Sequence, residues 1–359
     1  MTVARAARDP EALRRGFERW LQARHRSGTV RVGPLVRPTS GYSSETLLID
    51  SRRTDGRAEV EERFVARLPP AGGGIFPAYD LDRQAAVQRA LGRAGIPVAA
   101  VVAVEHDEEW VGAPFLLMAH VEGVVLDEAY VVAGPLHAAD AATQRRVQHG
   151  FVDLLAAVHR LDWEAAGLGA LTPPAERGLA HDLARAGAYL EWAADGDVPA
   201  VLADALAWLR AGRPEPEPPP SLCWGDPRLG NVVYRADFSV AAALDWETAA
   251  IGPAELDLAW FVGLHDLTAT AVGADLPGFA GRDEVVARWA ERIGRSAADL
   301  RWFEVLSLLR ADSVLLRIRR LVTASGEPDP WPQGPTPGQA RIASLIAAPP
   351  SRHRAGAGR

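Results

Sequence analysis

Residues 222–234 read Leu222-Cys223-Trp224-Gly225-Asp226-Pro227-Arg228-Leu229-Gly230-Asn231-Val232-Val233-Tyr234, with an aspartate five positions ahead of an asparagine on a turn between two apolar runs. A second aspartate follows fourteen residues after Asn231, in Ala243-Leu244-Asp245-Trp246-Glu247. Apolar runs punctuated by Gly-Asp-Pro and Gly-Asn predict short strands that fold back on one another. One turn plus one strand then brings Asn231 and Asp245 back to one place. Each residue alone could be a simple turn former. Together they offer a carboxylate that can orient a hydroxyl and take its proton, and two hard oxygen ligands suited to Mg²⁺. Arg228 adds a permanent cation to the same loop, able to neutralise charge on a transferred phosphoryl group.

The chain around this stretch is of two kinds. Behind Asp9-Pro10, Leu13, Phe17, Trp20 and Leu21 recur at helical spacing. Strand patterns follow at 32–39, 46–50 and 63–68, with the charged stretch 51–62 read as a connection. The first two flank a small polar turn, Ser40-Gly41-Tyr42-Ser43-Ser44-Glu45. Gly72 to Gly74 is a flexible joint, 81–91 a helix, and 98–104 and 114–118 two more strands. Beyond Glu122-Gly123 the pattern turns helical. Val147, Phe151, Leu154, Leu155, Val158 and Leu161 share one face, and helices are expected at 179–192, 201–209 and from Glu255 to about Ala324. The proline-rich run 213–220 cannot be helical and reads as a stiff connector. The order predicts an α+β chain of two lobes. Residues 1–122 form a small strand-rich lobe, 123–348 a larger mainly helical lobe with the motif on a two-strand insert, and 349–359 a disordered tail. A cleft between unlike lobes can seat a nucleotide.

The chain has no lysine, and all 39 basic residues are arginine. Any cation gripping phosphate must therefore be a guanidinium. A net charge of −7 gives no footprint for nucleic acid. Residues 1–122 hold 17 Arg against 16 Asp/Glu, net +1, and residues 123–350 hold 19 against 30, net −11. The acidic half could attract a cationic substrate or be a solvated surface. No run of 18 uncharged apolar residues predicts a membrane span, and the first 23 residues lack a signal-peptide pattern. The single cysteine, Cys223, rules out an internal disulfide and a Cys-based zinc site. The expected location is the cytoplasm.

The run from Trp224 to Asn231 resembles the His-Gly-Asp, four residues, Asn signature of the aminoglycoside phosphotransferase and choline kinase-type family, a branch of the protein-kinase-like fold. Leu244-Asp245-Trp246-Glu247, followed by Gly252-Pro253 and Asp257-Leu258-Ala259, resembles its metal-binding segment. The likeness covers about residues 10–345. It is nearest to a bacterial branch related to the kinase-like domain of some acyl-CoA dehydrogenases. The resemblance implies transfer of a phosphoryl group from ATP or GTP, with Mg²⁺, to a hydroxyl of a small molecule. It implies Asp226 as base or orienting carboxylate, and Asn231 and Asp245 as metal ligands. Ser40, Gly41, Tyr42, Ser43 and Ser44 would cover the phosphates through backbone N–H groups. Met118, Ala119, His120 and Val121 would form the hinge that meets the adenine, or a plain strand end.

Three positions depart from the family pattern. Trp224 replaces the signature His, which is usually a structural support. Arg67 stands where the third-strand lysine is expected, although it could be a solvent-facing arginine. Gln84 takes the place of the helix glutamate that would pair with it. Asp257 and His159 read as structural. Trp260, Trp302 and Trp331 could line a substrate pocket, with core packing favoured for the first two. The acceptor could be an aminoglycoside, another antibiotic-like natural product or a metabolite, in a resistance or tailoring role. The chief rival is a non-catalytic nucleotide-binding protein on the same fold. A hydrolase lacks its expected motifs here, and a protein kinase lacks room for a peptide-docking segment after Asp245.

Overall fold

The computed structural model describes residues 8–25, 28–38, 43–56, 58–127, 129–297, 299–329 and 335–349. The first lobe runs α1 (Pro10–Arg24), β1 (Thr29–Val32), β2 (Glu45–Asp55), β3 (Ala58–Leu68), α2 (Leu81–Arg93), β4 (Val101–Glu105) and β5 (Phe115–Ala119). Its antiparallel sheet has the order β1-β2-β3-β5-β4. Asp9 caps α1 through the Glu11 N–H, and Pro10 occupies the first turn, where its missing N–H costs nothing. The helix lays Leu13, Phe17, Trp20 and Leu21 on the sheet. Phe17 and Trp20 meet Phe115 edge-on at 5.1 and 5.2 Å. Each of these buried side chains stabilises the lobe by about 1.5–3 kcal/mol.

The charged stretch 51–62 differs from expectation, because it forms the outer arms of the β2–β3 hairpin rather than a connection. Both faces of these arms are largely wet, so no apolar alternation marks them. Cross-strand charges hold the register instead: Arg52 pairs with Glu61 at 2.7 Å and Arg63 with Asp50 at 2.9 Å. The strand expected at 32–39 is displaced to Thr29–Val32, and Val36 keeps only an isolated bridge to Leu48.

The second lobe runs β6 (Val124–Val125), α3 (Gly134–His137), α4 (Ala141–His159), α5 (Leu179–Ala194), α6 (Ala200–Ala211), β7 (Pro220–Cys223), β8 (Val232–Tyr234), β9 (Val240–Ala243), β10 (Ala250–Pro253), α7 (Glu255–Val272), α8 (Arg282–Ile293), α9 (Leu300–Ala324) and α10 (Pro337–Ala347). Two small sheets, β7–β10 and β6–β8–β9, carry the motif. The helix α10 is an addition to the expected set, capped by the Thr336 side chain with Pro337 behind it. The tail from residue 350 and Trp331 lie outside the described residues.

The lobes are joined at several points. Ala243 N–H donates to Pro97 O at 2.8 Å, so the strand leading to Asp245 abuts the first lobe. Arg83 of α2 reaches Ala249 O at 3.1 Å and Leu171 O at 2.7 Å. Tyr189 O–H donates to Ile75 O at 2.6 Å and Arg317 Nε to Gly74 O at 3.1 Å, tying α5 and α9 to the 72–76 joint. Among the described residues, no helix is long and apolar enough to cross a membrane.

Candidate active site

Asp226 sits where β7 ends, on a turn that only glycine can open. Gly225 has φ +94°, and a Cβ there would lie 2.5 Å from Thr248 O. The loop backbone hangs on Asp257 of α7. That buried carboxylate accepts from Trp224 N–H at 2.6 Å, Gly225 N–H at 3.0 Å and His159 Nε2 at 3.1 Å. Trp289 Nε1 lies 2.9 Å from His159 Nδ1. An indole can only donate, so His159 Nδ1 is an acceptor and its proton is on Nε2, facing Asp257. Both residues take the structural roles read for them in the sequence.

Trp224, in the signature-histidine position, is fully buried between Trp246 and Phe151, stacked on the former at 4.9 Å. Its Nε1–H donates to Leu244 O at 2.8 Å and to Asp245 O at 3.2 Å. The indole thus ties the Asp226 loop to the Asp245 segment with a single N–H. Asp245 itself has φ +62°, a left-handed backbone that costs a non-glycine residue about 1 kcal/mol or more and gathers at functional sites.

The three motif residues meet. Leu244 N–H donates to Asn231 O at 2.8 Å, closing the return strand. Asn231 Nδ2 donates to Asp226 O at 2.8 Å and to Asp226 Oδ2 at 2.9 Å. Arg228 Nε also reaches Asp226 Oδ2, at 2.9 Å, and Trp260 Nε1 reaches Oδ1, at 2.9 Å. Burial, then the Asp245 charge, push the Asp226 carboxyl up to about 7, against the Asn231 and Trp260 donors. About a quarter of the Asp226 side chain stays exposed, at 25%, which leaves an approach from the cleft.

Across the cleft, Arg67 of β3 points at the same place. Its NH1 lies 2.8 Å from Asp245 Oδ1, and its NH2 lies 3.0 Å from Glu247 Oε2, 3.3 Å from Ser43 Oγ and 3.2 Å from Ser44 Oγ. Ser44 Oγ also donates to Glu247 at 3.2 Å. Burial opposes the Arg67 charge, but Asp245 and Glu247 more than offset it and hold its pKa above the ordinary value. Glu247 is pushed up, first by burial and then by the Asp245 charge. Arg67 is therefore not a solvent-facing edge arginine. Its partner is also not the expected one: Gln84 is buried in α2 but is not among the groups that Arg67 bonds. α2 instead sends Arg83 to the second lobe, and the acidic partner comes from Glu247, two residues past Asp245.

In the segment expected to meet the adenine, two backbone donors are already used. Ala119 N–H is bonded to Ala100 O at 2.8 Å and His120 N–H to Arg63 O at 2.9 Å. Met118 Sδ accepts from Gln88 at 3.1 Å. Val121 keeps a backbone N–H with no hydrogen bond among the described residues. Ser40, Gly41 and Tyr42 lie outside those residues. Trp302 is core, with its Nε1 on Leu209 O at 3.0 Å, whereas Trp260 is half-buried and turned to Asp226, not core as favoured.

The donor set suits Mg²⁺. Asn231 uses its amide N–H groups on Asp226 and leaves Oδ1 without a hydrogen bond among the described residues. Asp245 leaves Oδ2 in the same condition. A neutral amide oxygen beside a carboxylate matches an ion that takes few protein ligands and fills its octahedron with water and phosphate. Among the described residues, no three His, Cys, Asp or Glu side chains gather to hold a metal unaided. Two surface cavities, one between α6, α9 and α10 and the other beside α4 and the β8–β9 turn, lie away from this cleft.

Residues 35–303 match the model of the phosphotransferase enzyme family. Acyl-CoA dehydrogenase family member 11 of Gallus gallus is 28% identical over 227 residues, 62% of this chain and 27% of that protein. The Homo sapiens protein of the same name is 28% identical over 206 residues, 56% of this chain and 25% of that protein. The chain thus spans about a quarter of the curated relatives it matches. Among solved structures, a protein of Ralstonia eutropha JMP134 described as a candidate aminoglycoside phosphotransferase superposes with TM-score 0.66 at 20% identity, covering 94% of this chain and 96% of that one. Aminoglycoside phosphotransferase APH(4)-Ia, solved with AMP-PNP and hygromycin B, superposes with TM-score 0.57 at 15% identity over 92% and 97%. At these identities the likeness speaks for the two-lobed kinase-like fold. The family match, over most of the chain, makes this protein a member of the phosphotransferase enzyme family.

Proposed function

We propose that this chain transfers the γ-phosphoryl group of a nucleoside triphosphate to a hydroxyl of a small molecule. The observation that carries the reading is the convergence of Asp226, Asn231 and Asp245 on one cleft, with Arg67 reaching the same point from the facing sheet. The acceptor oxygen would form the new bond to phosphorus while the bond from phosphorus to the β–γ bridging oxygen breaks. Its electron pair leaves with the nucleoside diphosphate, and the acceptor proton passes to Asp226. Asn231 and Asp245 would hold Mg²⁺, which supplies charge neutralisation on the phosphates. Arg67 is poised to exchange its carboxylate partners for phosphate oxygens, and the Val121 N–H, unbonded among the described residues, would meet the adenine. Solved relatives bound to AMP-PNP and hygromycin B support a nucleotide donor and a natural-product acceptor, an aminoglycoside among the candidates. The test is a mass-shift screen with ATP and GTP against aminoglycosides, macrolides, nucleoside antibiotics and hydroxylated metabolites. No transfer to any acceptor by wild-type protein would sink the reading.

One observation favours a second reading, a non-catalytic nucleotide binder. Arg67 sits on Asp245 and Glu247 at once, so a protein cation already occupies the carboxylate that would meet the metal. Mg²⁺-dependent nucleotide turnover separates the two. Catalysis requires turnover in wild type and its loss in Asp226→Ala, whereas binding without turnover in both proteins selects the second reading.

A further inference from the structure

The two oxygens of Asp226 are not equivalent. Oδ2 accepts two hydrogen bonds, from Arg228 Nε and Asn231 Nδ2, both at 2.9 Å. Among the described residues, Oδ1 accepts one, from Trp260 Nε1 at 2.9 Å. A carboxylate oxygen presents two in-plane lone pairs, so Oδ2 is filled and Oδ1 keeps one. Trp260 stands three residues after Asp257 on α7, and residues so spaced share a helix face. One face of α7 therefore holds the loop twice: Asp257 grips its backbone N–H groups and Trp260 grips the Asp226 carboxylate. The indole is braced in turn by the Arg310 guanidinium, 5.7 Å from the ring centroid. An indole N–H can donate but cannot accept a proton, so Trp260 can aim the carboxylate without competing for the acceptor's proton.

We propose that Trp260 is a positioning residue for phosphoryl transfer and that the acceptor hydroxyl docks on Asp226 Oδ1, the oxygen the indole holds. The inference rests on the phosphotransferase reading above and adds which oxygen takes the proton and which side chain aims it. The hydroxyl donates to the open lone pair of Oδ1, its oxygen bonds to phosphorus as the bridging bond breaks, and its proton ends on Oδ1. Without the indole donor the carboxylate is held from the Oδ2 side alone and can swing about that edge. Small misplacements of a reacting group are costly in rate.

The experiment compares wild type with Trp260→Phe, which keeps the ring and removes the N–H. The expected result is a fall in kcat of about ten- to a hundredfold, with nucleotide KM within about twofold and Tm within a few degrees of wild type. A merely structural tryptophan would lower Tm and leave the kcat of the folded fraction unchanged, and that result overturns the inference. Indole N–H resonances of the full chain give a second readout that needs no substrate. The Trp260 signal should shift in Asp226→Asn, and an unmoved signal overturns the inference even if Trp260→Phe does not fold. Wild type that transfers to no acceptor overturns the phosphotransferase reading and this inference with it. Active wild type matched by an equally active Trp260→Phe overturns this inference alone.

Discussion

The Asp226 loop and the Arg67 cluster meet at Asp245, yet they are held in different ways. The loop is pinned by backbone N–H groups on Asp257, by the buried Trp224 indole on the carbonyls of Leu244 and Asp245, and by stacked rings. The Arg67 cluster is held by a guanidinium, two carboxylates and two serine hydroxyls. Backbone and aromatic packing set a geometry that exists before any ligand arrives, because dense interiors have few alternative arrangements. Ion pairs at a cleft edge can be exchanged for those of an incoming phosphate. In the proposed transfer, the pairing would give preorganisation to the hydroxyl side and adaptation to the nucleotide side.

Breaking the loop's chemistry is expected to have the largest effect. Asp226→Ala should lower phosphoryl transfer by about 10²–10⁴-fold with nucleotide affinity nearly unchanged, as read by steady-state assay and ligand thermal shift. A parallel loss of nucleotide binding would show that the two regions are not separable. Breaking the loop's anchor comes next. Asp257→Ala leaves two backbone N–H groups and the His159 Nε2–H without their acceptor, and should destabilise the fold by about 3–5 kcal/mol in urea unfolding. A loss under about 1 kcal/mol would mean that the loop does not hang on α7.

Asp312 lies outside both regions and serves as a reference. It is buried in α9 and accepts from Thr336 Oγ1 at 2.5 Å, and burial pushes its carboxyl up to about 6. Its folded pKa exceeds the unfolded value near 3.9, so the native state binds more protons between about pH 4 and 6. Stability attributable to Asp312 should therefore fall as pH rises through that window and level off above it. Asp312→Asn should remove the slope and raise stability at neutral pH by up to about 3 kcal/mol. An unchanged curve of stability against pH would contradict the sign. The smallest effect is expected from softening the Arg67 cluster. Arg67→Lys offers a point charge that cannot bridge Asp245 and Glu247 as the planar fork does. Nucleotide KM should rise about tenfold, or about 1.4 kcal/mol, with kcat and Tm little changed. A large fall in kcat instead would move Arg67 to the chemical step.

Much of the loop was legible from spacing. The Asp226, Asn231 and Asp245 positions lie on adjacent turns and short strands, where local geometry decides who meets whom. Trp224 could be flagged as a departure that need not abolish activity, and the structure adds what the indole does: its N–H reaches Leu244 O and Asp245 O from a fully buried ring. The Arg67 cluster was legible only in half. Arg67 stood out on a lysine-free third strand, but its pairing with Glu247 spans 180 residues and depends on how the lobes close. The quoted Asp245-Trp246-Glu247 run placed a second carboxylate two residues past Asp245, but strand alternation does not apply across the left-handed Asp245, so nothing in the spacing aimed Glu247 at Arg67. Trp260 looked like core because an aromatic among apolar helix residues usually is. The hairpin arms at 51–62 were hidden because strands wet on both faces carry no alternation.

The sequence alone therefore determined the lobe order, the helical faces and the oxygen-bearing turn with its family resemblance, all of which rest on contacts within a few residues or on hydrophobic period. Tertiary structure alone decided that Arg67 faces Glu247 and not Gln84, that Asp257 and Trp260 hold the loop from one helix face, and that Asp226 Oδ1 accepts from Trp260 alone among the described residues. Those outcomes depend on which directional donors and acceptors meet once distant segments are packed, and a linear spacing carries no information about that.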